Sequence, residues 1–168
     1  MFVLLALPWL AFCAWHDLRT RTVPPSLTIP SLMIAITWHG LNENWPLAIL
    51  AVSLTILDDL PWRWRGFLGG VQTLLLVAAT ILGGIEAVLL GLVLIGVWLL
   101  WKLNRLGGAD AQVIFTLSLF FGLPIILPLA IGTGLQAGFQ KLRRKETMPA
   151  MLGILTGASI YAIALLLQ

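Results

Sequence analysis

Two aspartates stand out as groups that could do chemistry together. Asp17 closes an apolar run in Trp15-His16-Asp17-Leu18-Arg19-Thr20-Arg21, and Asp110 opens another in Arg105-Leu106-Gly107-Gly108-Ala109-Asp110. Each stands where a basic stretch meets an apolar one. Two carboxylates brought within a few ångströms cannot both ionise easily, so they share one proton and titrate as a pair. Such a pair can activate a water, one acid taking its proton while the other protonates an amide carbonyl, and the result is peptide hydrolysis. A plainer reading stands beside this one. Asp110 could be an N-cap that follows two helix-ending glycines, and Asp17 an interfacial acid paired with Arg19 or Arg21.

The other titratable groups offer less. Glu43 and Glu86 fall in short turns, Glu146 in a basic stretch, and Asp58 and Asp59 beside Arg63 and Arg65, so solvated or charge-balancing roles account for them. His16 adjoins Asp17, but neighbours on a helix point about 100° apart, which makes it an interfacial polar residue. His39 lies on the opposite membrane side from both aspartates in the topology below. Two histidines on opposite sides and a lone Cys13 point to no metal site and no disulfide, and no cofactor is expected.

The elements that must position the aspartates follow from composition. The 168 residues are 60% hydrophobic and 10% charged, with a mean hydropathy of +0.99. Seven carboxylates and ten Lys or Arg leave too little polar surface for a water-soluble globule or for a basic nucleic-acid face, and such a composition points to the bilayer. About 20 apolar residues cross the hydrocarbon, and ~17 still suffice. The charged clusters then divide the chain into apolar segments at 1–16, 27–42, 45–58, 66–82, 85–103, 110–123, 124–140 and 149–167. The first lacks the basic start and small-x-small cleavage site of a signal peptide and is expected to remain as a membrane helix.

Orientation is set by the tendency of Lys and Arg in short loops to stay in the cytoplasm. With the N-terminus outside, successive crossings put Arg19, Arg21, Arg63, Arg65, Lys102, Arg105 and the basic residues of 141–145 on the inner side, together with both aspartates. Asn42, Glu43, Asn44, Gly83, Gly84 and Glu86 fall outside. Gly122 and Pro124 supply the break for a hairpin over 110–140. Seven of the eight Trp fall near segment ends, as an interfacial aromatic belt would have them. Gly66 with Gly70, Gly134 with Gly138, and Gly153 with Gly157 repeat the spacing that lets helices approach closely. The expected fold is therefore all-α: a polytopic transmembrane helix bundle of six to eight spans, one domain over 1–168.

The run Asp17-x-Arg-x-Arg-x-Val-Pro, followed by Gly107-Gly108-Ala109-Asp110, resembles the type IV prepilin peptidase family, which includes the archaeal preflagellin peptidases. That family pairs an aspartate, basic residues and an Ile-Pro-Asn-like turn with a later Gly-x-Gly-Asp motif on the same cytoplasmic side. Ala109, Pro25 and Gln112 stand where its pattern has glycine, asparagine and often lysine. The resemblance implies an intramembrane aspartic endopeptidase of the plasma (inner) membrane that removes the basic leader from pilin-like or flagellin-like precursors, with Asp17 and Asp110 as the catalytic pair. It further implies that Gly107, Gly108 and Ala109 form the approach to Asp110, small so that a peptide backbone can come close. Larger bacterial members add a cytoplasmic portion with paired cysteines and methylate the product; one cysteine and no such insertion suit a peptidase-only form. The competing class is a non-enzymatic membrane protein, a small transporter or an assembly scaffold, with both aspartates as caps or ion-pair partners.

Overall fold

The computed structural model describes residues 2–42, 44–56, 62–142 and 150–167. Glu43, Asp58, Asp59 and Glu146 lie outside the described residues. Among the described residues the chain is all-helical, with no strand. Its seven helices are α1 (Phe2–Thr20), α2 (Pro25–Asn42), α3 (Trp45–Ile56), α4 (Trp62–Lys102), α5 (Gly108–Phe121), α6 (Ile126–Leu142) and α7 (Met151–Leu166), with a 3-10 turn at Leu123–Ile125 before α6.

The helix boundaries follow local chemistry. Pro25 begins α2, where its missing N–H would have had no partner. Asn44 caps α3: its Oδ1 accepts the Leu47 N–H three residues on, at 3.4 Å. Helix α4 is in effect two helices, because Gly84 inside it takes φ 64°, ψ −155°, a backbone conformation open to glycine and closed to other residues. Gly122 ends α5 with nearly the same angles, φ 66° and ψ −155°. The segments expected at 66–82 and 85–103 thus meet at the expected place. The end of α4 is different. Asn104, at φ 53°, turns the chain out of the helix, and Gly108 begins the next helix instead of ending the previous one.

The chain forms two compact units, residues 1–28 with 124–168 and residues 29–123. In the first, α7 packs against both α1 and α6. The α6–α7 contact is one of backbones: a Cβ at Gly132 would meet the Gly153 carbonyl and the Gly157 nitrogen, and one at Gly157 would lie 2.5 Å from the Pro128 carbonyl oxygen. The spacing of Gly153 and Gly157 therefore marks a close crossing. Gly134 and Gly138 have the same spacing, yet nothing within 4 Å lies where their side chains would be, and Gly70 is equally open. In the second unit, Leu50 and Leu54 of α3, Leu90 and Leu94 of α4 and Phe115 and Leu119 of α5 form one buried cluster.

One stretch, Gly69–Lys102, is long and apolar enough to cross a membrane, and only 22% of its most apolar part is buried. Four shorter apolar helices accompany it: Trp45–Thr55, Gly108–Phe121, Leu123–Phe139 and Met151–Leu166.

Candidate functional site

Asp17 belongs to the first unit and Asp110 to the second, and each has a defined local setting. Asp17 stands in the last turn of α1. Leu10, Cys13 and Ala14 are each 2% exposed or less, and Asp17, at 8%, continues their line. The intervals i, i+3, i+4, i+7 put all four residues on one helix face. This carboxyl therefore occupies the place of a core residue. Acids are almost never buried so deeply without partners. Here the Met151 backbone N–H, at the start of α7, donates a hydrogen bond to it.

Asp17 follows the apolar segment 1–16 and lies outside it. Burial pushes its pKa above the ordinary carboxylate value, because removing water disfavours the charged form. The Met151 N–H and the charges of Arg21 and His16 act in the opposite sense, and burial outweighs them. The basic neighbours have employment of their own. The Arg19 guanidinium stacks 4.4 Å over the Trp15 ring. Arg21, at φ 60°, ends the helix with its N–H donating to the Asp17 carbonyl at 2.9 Å. His16 donates from Nδ1 to the Thr22 carbonyl at 2.8 Å, so its ring fastens the loop that follows α1.

Asp110 occupies a different kind of place. The N-cap of α5 is Gly107, with φ −68° and ψ 148° and no side-chain cap, so Asp110 is the third residue of the helix and not its cap. Its half-buried side chain folds back toward the turn. A Cβ on Gly107 would lie 2.8 Å from the Asp110 Oδ2, and a Cβ on Gly108 would lie 3.2 Å from the Trp101 Nε1. Both glycines are thus occupied by the chain's own groups, the carboxylate and an indole, a local reason for small residues that is separate from substrate approach. Ala109 between them is half-buried. An acid in the first turn also faces the positive end of the helix dipole.

Sequence reasoning missed two partners. Trp101 was read only as a belt residue, although its seven-residue spacing from Gly108 across a tight turn could have flagged it. The Met151 N–H left no signal in the sequence, since any residue type there would supply it. Among the described residues no group of three or more His, Cys, Asp or Glu could hold a metal ion. No protein-family model, curated protein or solved structure matches this chain.

Proposed function

We propose that this chain is a polytopic helical protein of the plasma (inner) membrane and an aspartic endopeptidase. In this reading it cleaves the basic leader from pilin-like or flagellin-like precursors at the cytoplasmic face. The observation that carries the reading is Asp17, a carboxyl set in line with core residues and held toward its protonated form by burial. A shared-proton pair needs one member biased toward its protonated form, and burial biases Asp17 in that direction; the Met151 N–H bond also lets the same carboxyl serve the start of α7. The membrane half draws support from the uncovered apolar surface of Gly69–Lys102 and of the shorter helices, where Leu5, Leu41, Ile81, Ile85, Leu127 and Leu135 are all exposed.

In this reading the two settings support unequal starting roles. Asp110, in the first turn of α5, is the ionised member and general base; Asp17 is the protonated member and general acid. A water between them loses a proton to Asp110 as its oxygen attacks the scissile carbonyl carbon, while Asp17 protonates the carbonyl oxygen. Collapse of the gem-diol intermediate breaks the C–N bond, the proton held by Asp110 passes to the leaving amine, and one hydroxyl of the gem-diol returns its proton to Asp17 as the product carboxyl forms. The substrate's apolar helix lies among the spans, and its charged leader remains in the cytoplasm.

The test is co-expression with a pilin-like precursor, followed by N-terminal sequencing of the product. Asp17→Asn and Asp110→Asn should each leave the precursor uncut while the protein still accumulates in membranes. Cleavage by either variant would overturn the dyad. A second reading is favoured by the position of Asp110, since a carboxylate in a first turn also serves helix stability alone. A chain whose accumulation falls with Asp110→Asn, and which cuts no precursor as the wild type, would support it.

A further inference from the structure

The second unit encloses a half-open cavity of about 160 Å3 at the end of α5 away from Asp110. It is more than ten times the roughly 10–15 Å3 that one water needs. Three helix C-termini converge on it, those of α2, of the first half of α4 and of α5, against two N-termini, those of α3 and of the second half of α4. Partial negative charge is therefore in excess. The Glu86 carboxylate stands exposed at the rim.

Inside, His39 is 2% exposed and Asn44 is 5% exposed. The amide of Asn44 is committed on both sides, with Nδ2 donating to the Ala79 carbonyl at 3.2 Å and Oδ1 capping α3. The Nδ1 of His39 lies 3.0 Å from the Leu119 carbonyl. A carbonyl can only accept, so Nδ1 carries the proton, and in the neutral ring Nε2 is then an acceptor. Leu47, Leu90 and Leu123 form the apolar wall, and Leu41, Ile81 and Ile85 on the flanking helices are at least 70% exposed. The cavity thus combines a carboxylate at the rim, an excess of helix C-termini and hydrocarbon, and its chemistry suits a compact cation that carries N–H donors.

We propose that the cavity binds a primary ammonium group, that of a phosphatidylethanolamine headgroup, with Glu86 as its counter-ion and the exposed apolar flanks taking the acyl chains. This rests only on the membrane half of the reading above and does not involve the aspartate pair. A choline headgroup lacks the N–H donors that a primary ammonium offers the Glu86 carboxylate, which gives the site its selectivity.

The experiment measures Tm of the full chain in detergent micelles doped with phosphatidylethanolamine, phosphatidylcholine or free ethanolamine. The wild type should gain about 3–5 °C with phosphatidylethanolamine over phosphatidylcholine when the lipid is well above its Kd. Glu86→Gln, at an exposed position, should keep the basal Tm and lose that difference; Glu86→Lys should lose it as well. A shift by free ethanolamine that Glu86→Gln abolishes would support the ammonium site and name a soluble amine as an equal source. Equal Tm in the two lipids for the wild type, or an undiminished difference in Glu86→Gln, would overturn the proposal. Precursor cleavage should be unchanged in Glu86→Gln, so failure here and failure of the peptidase reading give different results.

Discussion

Asp17 and Asp110 are the same residue type at opposite ends of their helices, and their surroundings treat charge in opposite ways. Asp17 sits in the last turn of α1, buried on the face that carries Leu10, Cys13 and Ala14, where a negative charge is disfavoured by burial. Asp110 sits in the first turn of α5, half-buried and beside the amide-rich end of the helix, where a negative charge is welcome. The difference teaches that an acid–base pair need not be built from two special residues. Helix polarity and one buried face suffice to make two aspartates unequal.

The largest expected effect breaks the comparison outright. Replacing either aspartate by asparagine should reduce precursor cleavage by at least about 10²–10⁴-fold, the usual contribution of a positioned acid or base. The rate would be followed by the appearance of the new N-terminus. The same pair of variants should separate in stability. Asp17→Asn should raise Tm at pH values above the raised Asp17 pKa, where the wild type would carry a buried charge, and Asp110→Asn should lower it, because the first turn of α5 loses its acid. Each kcal/mol is worth about 2–4 °C in a chain of this size.

Next in size is the close crossing of α6 and α7. Gly157→Leu should destabilise by about 1–3 kcal/mol, since its Cβ has only the Pro128 carbonyl and the Leu129 backbone to move. Gly134→Leu, at the same spacing on an open face, should change stability by no more than about 0.5 kcal/mol. Equal effects in thermal unfolding would show that the first unit is packed otherwise.

A pH titration of stability sharpens the contrast. The folded pKa of Asp17 is raised above its unfolded value, so the folded state binds the proton more tightly. Its contribution to stability is fully present below the ordinary aspartate pKa, near 3.9, and is lost as pH rises through the raised folded value. The Tm difference between wild type and Asp17→Asn should therefore grow as pH climbs from about 4 through the raised folded pKa of Asp17. A difference that is constant with pH would remove the reason for naming Asp17 the acid.

The smallest effect concerns Gly107. An alanine there meets only the end of the Asp110 side chain, which can turn aside. Stability should hold within about 0.5 kcal/mol, while cleavage falls several-fold through displacement of the carboxylate. A Gly107→Ala variant that cuts at the wild-type rate would mean that the resting orientation of Asp110 does not matter to the reaction.

Much of the helical layout was determined by the sequence alone, for local reasons. Long apolar runs must bury or satisfy their backbone groups as helices, and the breaks fall at Gly84 and Gly122 because only glycine takes those angles without strain. The placement of Asp17 on the buried face was not legible, because residues 2–15 are apolar at every position and no face of α1 stands out. Nor was the end of α4 at Lys102, with the turn at Asn104, because the two glycines that follow are the stronger local signal and the helix stops before reaching them.

What tertiary structure decided is which of several equivalent faces acquired a partner. Gly134-x-x-x-Gly138 and Gly153-x-x-x-Gly157 read alike in sequence, yet only the second meets another backbone, because a small-residue stripe states that a helix can be approached and says nothing of where the next helix lies. The cavity around His39, Asn44 and Glu86 is drawn from four separate segments of the chain, and no spacing along one helix could announce it. Local conformation is fixed by each residue's own steric and hydrogen-bonding limits; proximity between distant residues is fixed only when the helices pack.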